Sequence, residues 1–231
     1  MKEKRVRGGR SEPVSVPFIR EVKFKGSRVV LVGAVKGLVS EGVMVGAEIR
    51  SERPDAVCLH ISKEELEGLK AVVKGKVRST YLSSYEKVYA KKLSRFGEVQ
   101  IPPPSLVEAY RAARELGIPC YHLDMDDGRY SRVYTKNIGG LPMVMQSLRL
   151  KRVHRRKFKG GTPQRFSVEW DSVVNRFGGY RRVEEARETY MAERILKLTR
   201  KHAKLLAVLE YERMRGIMDA LVEMEALEPG L

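Results

Sequence analysis

Short apolar runs alternate along the chain with longer stretches in which apolar residues recur every three or four positions. The short runs are typical of buried strands, and the longer stretches are typical of amphipathic helices. Because strands and helices alternate, the pattern predicts an α/β fold, with helices on both faces of a mainly parallel sheet. The predicted strands are EVKFKG (21–26), RVVLVGAV (28–35), DAVCLHI (55–61), IPCYHLDMDD (118–127) and LLAVLEY (205–211), the first two joined by a turn at Gly26-Ser27.

Capping residues, prolines and glycines mark the predicted helix ends. Ser62, followed three positions later by Glu65, forms a capping-box pattern that starts a helix. Pro54 ends the preceding helix, since proline cannot continue one. A glycine-bearing turn at Arg215-Gly216 is expected after the last strand. The predicted helices cover 38–51, a segment from Ser62, 79–96, 104–117, 163–176, 183–202 and 213–226.

Tyrosines occupy one face of the helix predicted over 79–96. Tyr81, Tyr85 and Tyr89 are four positions apart, and residues at that spacing share a helical face. Such a face either packs against the rest of the domain or forms a binding stripe. We favour packing.

The order of elements predicts one α/β domain over 20–231, with a flexible basic tail at 1–19 and a basic segment at 128–166. No run of about 18 apolar residues is present, so no membrane span is predicted. No apolar stretch follows the basic N-terminus, which argues against a secretory signal and favours a cytoplasmic location. Cys58 and Cys120 lie in apolar runs and are expected to be buried free thiols.

The net charge of +16 changes this picture, because it favours a polyanionic partner. A heat-adapted surface is the alternative, and the high Arg, Lys and Glu usage with few Gln and Asn favours a thermophilic source. The charge is concentrated in one part of the chain. From 128 to 168 there are eleven Lys and Arg residues and no Asp or Glu.

Seven of these cations form a dense cluster beside Phe158 and Phe166. Cations contact phosphates with a strong salt dependence, and aromatic rings give bases a surface for stacking. The cluster therefore predicts binding to nucleic acid, with RNA favoured over DNA in a cytoplasmic chain. A solvated charged face, or an arm that docks an acidic protein, remains the alternative. The cluster consists of Arg149, Lys151, Arg152, Arg155, Arg156, Lys157 and Lys159.

Polar residues follow four of the predicted strands, where an open parallel sheet binds its ligands. If these strands are neighbours, their carboxyl-end residues share one crevice. The residues are Lys36, His60, Asp124 with Asp126 and Asp127, and Glu210 with Glu212 and Arg213.

Four stretches carry a resemblance to a known family: LVGAVKG, RPDAVCLHISKEELEGL, RVEEARETYMAERI and LAVLEYERMRGIMDAL. In order and spacing they resemble the TraB/PrgY/TIKI family. Its pattern has a strand ending in Gly-x-x-His, a Pro-Asp turn before a strand ending in Glu, an Arg-Asp-x-x-Met-Ala-x-x-Ile helix and a second Gly-x-x-His. The resemblance runs from about residue 28 to the end, except for 128–165, and implies an α/β fold of that type.

The key positions of the family pattern are substituted here. Lys36 and Arg213 stand where the two histidines would be, and His60 stands at the Glu position. Members that work as metalloproteases are thought to hold a divalent metal with those residues. Protonated Lys and permanently charged Arg do not ligate metals. The resemblance therefore implies the fold without the chemistry, and we expect a non-catalytic chain with neither metal nor cofactor.

Three interpretations of the substituted crevice stay open. Lys36, His60 and Arg213 would together bind a phosphate or another small anion. Alternatively, Lys36 and Arg213 would pair internally with Asp124, Asp126 or Glu212 and leave an inert site. In the third, a divergent metal-dependent hydrolase would use His60, Asp124 and Glu212. The possible acidic site residues are Asp124, Asp126 and Glu212.

Overall fold

The computed structural model describes residues 18–24, 26–76 and 83–227. Most of the predicted tail lies outside these residues, as do 77–82 and therefore Tyr81. Phe18 and Ile19, which the sequence placed in the tail, instead open the first strand and pair with Gly33 and Val32. No helix in the described ranges is long and apolar enough to cross a membrane.

Five strands form one sheet in the order β1-β2-β5-β3-β4. β1 runs antiparallel to β2, and the other neighbouring pairs are parallel. The predicted α/β class with a mainly parallel sheet is therefore confirmed. The strands are β1 (Phe18–Phe24), β2 (Ser27–Ala34), β3 (Ala56–Leu59), β4 (Cys120–His122) and β5 (Lys204–Glu210).

Nine helices are defined in the described ranges, and they cover both faces of the sheet. Those predicted from periodicity are found, with ends that shift by a few residues. The helices are α1 (Val39–Glu52), α2 (Lys63–Val73), α3 (Ser84–Leu93), α4 (Pro104–Glu115), α5 (Asp127–Asn137), α6 (Gly140–Val153), α7 (Pro163–Val174), α8 (Gly178–Thr199) and α9 (Met214–Leu227).

Central strands β2, β3 and β5 are buried on both faces because α/β packing places a helical layer against each. On one face Met191 and Ile195 of α8 pack with Ile217 of α9. On the other face Ile49 of α1 packs with Ala109 of α4. This arrangement fixes the carboxyl ends of the strands at one edge of the domain.

Local signals set several element ends as expected. The Ser62 side chain accepts a hydrogen bond from the Glu65 N–H, and the Glu65 carboxylate accepts one from the Ser62 N–H. Gly117 follows α4 with a φ of +69°, a conformation that favours glycine. The glycine-bearing turn at 215–216 is wrong, since Gly216 lies inside α9. A Cβ at Gly216 would overlap the carboxylate of Glu188 on α8, so the glycine leaves room for that side chain between the two helices.

The basic segment 128–166 is largely helical. It contains α5, α6 and the start of α7, of which only α7 was predicted. Its aromatic residues close a third core cluster, where Phe158 and Phe166 are 6 % and 0 % exposed and pack against Trp170. The expectation that these two rings stack on bases is therefore wrong, because their apolar surface is used inside the domain.

Candidate functional site

A cavity of about 500 Å³ opens at the carboxyl ends of β2 and β5. Lys36, Glu210, Glu212 and Arg213 line it, so the expected shared crevice is found for the residues that follow β2 and β5, whereas His60, Asp124 and Asp127 are not among the lining residues. The walls come from α3, α5, α6, α7 and α8. Asp126 does not line the cavity: its carboxylate accepts the N–H of Arg129 at 2.7 Å and caps α5.

Glu210, at the end of β5, joins two of the predicted residues. Its Oε1 lies 3.5 Å from the Lys36 Nζ and 3.4 Å from the His60 Nε2. His60 is 5 % exposed, and its Nδ1 lies 3.0 Å from the Val208 carbonyl oxygen. Burial acts to raise the pKa of the Glu210 carboxyl, but Lys36 and His60 outweigh it and hold that pKa well below the usual range. The Glu210 carboxylate in turn raises the pKa of Lys36.

Two arginines of the cavity wall are also held by carboxylates. The Arg187 guanidinium donates to both oxygens of Asp124 and to Glu184, the latter at 2.7 Å. The Arg213 guanidinium donates to Glu188 at 2.9 Å and contacts Asp171. Arg213 is 6 % exposed, so this ion pairing takes place away from solvent. Internal pairing of Lys36 and Arg213 was one of the open interpretations, although the partners are not those that the sequence suggested.

Carboxylates outnumber cations in this network. Burial raises the pKa of the Glu184 carboxyl, that of Glu188 to about 7 and that of Glu212 to about 8. Several carboxyls so close together cannot all ionise at low cost. Three cations, Lys36, Arg187 and Arg213, face six carboxylates: Asp124, Asp171, Glu184, Glu188, Glu210 and Glu212.

Neither a metal site nor a free anion site emerges from this geometry. Within the described part of the chain, no group of three or more His, Cys, Asp or Glu residues could hold a metal ion. His60 lies against the Glu210 carboxylate, and Asp124 is engaged in an ion pair with Arg187. Lys36, the most exposed of the three proposed anion-binding residues, already contacts a carboxylate.

Aromatic rings form much of the cavity wall. The Tyr85 hydroxyl accepts a hydrogen bond from the Trp170 indole N–H, and Tyr89 packs edge-on against the same indole at 5.2 Å. Tyr134 and Tyr180 from α5 and α8 meet in a T-shaped pair. The predicted packed face of α3 is thus present at Tyr85 and Tyr89, and it borders a cavity as well.

The basic surface, defined as Arg149, Arg152, Arg155, Arg156, Lys157 and Lys159, covers the end of α6 and the following loop. Five of its members are exposed, and Arg149 is half-buried. The side chain of Lys151 lies outside the described residues. Among the described ion pairs none involves the basic surface, whereas the cavity cations are all paired.

Further cations flank the basic surface. Lys92 Nζ donates to the Arg156 carbonyl at 3.0 Å, and Arg95 donates to the carbonyls of Phe158 and Gly160. Burial, with the like charges of Arg176 and then Arg156, lowers the pKa of Arg149. Positive charges from α3, from α6 and from the residues that follow α3 and α7 therefore converge on one side of the domain.

An apolar stripe on α6 was missed in the sequence. Leu141, Val144, Met145 and Leu148 are 47–72 % exposed and have the i, i+3, i+4, i+7 spacing of a single helical face. The signal was present in that spacing, but no helix was expected there. The same helix lines the cavity with Met143, Gln146 and Ser147.

The ion pairs of the cavity were missed for a different reason. Glu184 and Arg187 are three positions apart on α8, a spacing that allows side-chain pairing. Asp171 carries no comparable local signal, because it meets Arg213 only after α7 packs against the end of β5.

The chain matches no protein-family model, and no curated protein sequence matches it. Function is therefore inferred from the contacts and charges of the cavity and of the basic surface.

Proposed function

We propose that this protein is a non-catalytic, cytoplasmic chain of TraB/TIKI-like descent that binds a polyanion, RNA or a ribonucleoprotein, through the basic surface. The observation that carries the proposal is the contrast in pairing between two groups of cations. Cations held by carboxylates have little charge left for a ligand, whereas unpaired exposed cations can displace the counterions of a phosphate backbone. The basic surface belongs to the second group.

We propose that the chain is not catalytic because of the contacts made by the residues at the substituted positions of the family pattern. Lys36, His60 and Arg213 contact carboxylates of the protein itself, and a Lys or Arg there would repel a catalytic cation. A divergent metal-dependent hydrolase and a small-anion sensor were the alternatives. No contact in the cavity favours either of them.

The apolar stripe of α6 favours a ribonucleoprotein over bare RNA. A phosphodiester backbone offers little apolar surface, whereas a protein component would cover Leu141, Val144 and Leu148. The stripe leads directly to Arg149 and Arg152, so one partner could contact both.

Binding to a single-stranded RNA, measured by fluorescence anisotropy over a series of salt concentrations, tests the proposal. The triple variant R152Q/R155Q/R156Q removes three exposed charges of the basic surface. Each lost phosphate contact lowers the slope of log K against log salt by about 0.7, so we expect a decrease of about 2 and at least tenfold weaker binding near 0.1 M salt.

The matched control is K63Q/K74Q/K76Q, which removes the same charge from exposed positions on and after α2. It should leave the salt slope close to that of the parent protein. Equal weakening by both triple variants would mean that net charge, and not the basic surface, drives binding.

A further inference from the structure

Three buried oxygen atoms on residues of the cavity wall have no hydrogen-bond partner among the described residues: Glu212 Oε2, the Tyr89 hydroxyl and Gln146 Oε1. A buried polar atom without a partner costs free energy, so native proteins nearly always satisfy such atoms. The three residues belong to different elements, namely the turn after β5, α3 and α6, and all of them line the same cavity. A ligand with hydrogen-bond donors would satisfy them.

The charge of the cavity defines the class of that ligand. Six carboxyl groups surround three cations, and Glu212 takes part in no described ion pair, so the site can hold a further positive charge once Glu212 loses its proton. The walls are aromatic, with Tyr85, Tyr130 and Trp170 among the lining residues. The negative faces of aromatic rings attract ammonium and guanidinium groups.

We propose that this cavity binds a small organic cation that bears ammonium or guanidinium groups, with Glu212 as its counterion and Tyr89 as a hydrogen-bond partner. A cavity of about 500 Å³ suits a small organic ligand. An aliphatic polyamine fits this chemistry: its methylenes pack on the aromatic walls while its nitrogens donate to the carboxylates. Polyanion binding at the basic surface is a separate matter, and neither proposal depends on the other.

The charge of the rest of the molecule explains why a small cation would bind in the cavity and not elsewhere on the protein. With a net charge of +16, the protein repels small cations from most of its surface. Tight binding of a polyamine therefore requires a local concentration of negative charge. The carboxylates around Glu212 provide one.

Binding should also be linked to protons. The Glu212 carboxyl has a pKa raised to about 8 by burial and by the neighbouring Glu210. The other charged or titratable groups that face it are Lys36, Tyr85 and Tyr89. A bound cation favours the carboxylate form, so binding releases a proton and the affinity increases as the pH rises from about 7 to 9.

Titration calorimetry with spermidine and putrescine on the intact protein tests the site. 1,4-Butanediol, a neutral analogue of putrescine of similar length, and inorganic phosphate serve as the comparison ligands. We expect both amines to bind, with proton release between pH 7 and 9, and the neutral diol and phosphate not to bind in the cavity. Binding of phosphate competing with the amines, or no heat with either amine at millimolar concentration and low salt, would overturn the proposal.

Two variants locate the binding site. Glu212→Gln keeps the shape of the side chain and removes the charge. It should weaken spermidine binding about tenfold or more, as expected for one charge-assisted hydrogen bond, and reduce proton release. Tyr89→Phe removes only the hydroxyl and should weaken binding by a factor of about three.

The matched control is Glu67→Gln, which makes the same chemical change on the exposed side of α2. It should bind spermidine like the parent protein. If Glu212→Gln and Tyr89→Phe also bind like the parent, the amine lies elsewhere and the proposal is wrong. If Glu212→Gln fails to fold, the Tyr89→Phe result decides.

Discussion

The cavity and the basic surface are built from the same kinds of cationic side chain, yet those side chains have opposite surroundings. Arg213 in the cavity is 6 % exposed and held by carboxylates from α7 and α8. Arg155 on the basic surface is exposed and contributes to no described ion pair. The number of arginines therefore does not show where an anion binds. The neighbours of each arginine, fixed by helix packing, decide whether its charge is available.

Removing one cation from each region should separate the two roles most clearly. Arg213→Met leaves Glu188 and Asp171 without their cation in a buried place, and we expect a loss of about 3–5 kcal/mol in the free energy of unfolding. Arg155→Met removes an exposed charge and should change that free energy by no more than about 0.5 kcal/mol. Urea denaturation measures both. Similar losses in the two variants would contradict the contrast between the regions.

Measuring stability as a function of pH extends the comparison to the carboxyl groups of the cavity. The raised pKa of Glu212, about 8, means that the folded state keeps this proton to a higher pH than the unfolded state. That contribution to stability is complete at pH values below the ordinary carboxyl range and is lost as the pH rises through about 8.

Glu212→Gln should consequently match the parent protein at pH 4 and exceed its stability by about 2 kcal/mol at pH 8.5, since each unit of pKa shift corresponds to about 1.4 kcal/mol and neighbouring groups relax. Urea denaturation at both pH values measures the difference. Parallel pH profiles for the two proteins would show that Glu212 ionises at its ordinary pKa. Glu67→Gln on the exposed side of α2 is the control and should leave the profile unchanged.

The smallest change in the free energy of unfolding is expected beside the basic surface, where removing a cation should stabilise the protein. Arg176 and Arg156 crowd Arg149, whose pKa is lowered by burial and by these like charges. Arg176→Gln should stabilise the protein by about 0.5 kcal/mol at low salt, and the gain should shrink as salt screens the repulsion. Thermal unfolding at two salt concentrations measures it. Lys74→Gln, on an exposed position away from this cluster, should give no comparable gain.

Local rules in the sequence were enough for the sheet and most of the helices. Central strands such as 28–35 are apolar on both faces, and the Ser62 capping box depends on residues three positions apart. Helix α6 was not predicted, although its exposed apolar residues have helical spacing, because apolar residues also lie on its inner side and obscure that pattern.

The sequence predicted the residues of the site only where the order and direction of the strands determine their position. Lys36, Glu212 and Arg213 reach one cavity because parallel strands end at the same edge of the sheet. Their pairing depends on how α7 and α8 dock, and a docking geometry has no local signature. Phe158 illustrates the same limit, since its neighbours in sequence are cations while its neighbours in space are aromatic.

Gly216 has a consequence for the way this chain can change over time. Its missing side chain makes room on α9 for the carboxylate of Glu188, which holds Arg213. Even a methyl group at 216 would displace that carboxylate and weaken its hydrogen bond to Arg213, which would then be left with Asp171. In any descendant of this protein, a residue larger than glycine at 216 should therefore appear together with a replacement at 188 or 213, so these three positions are expected to evolve as a unit.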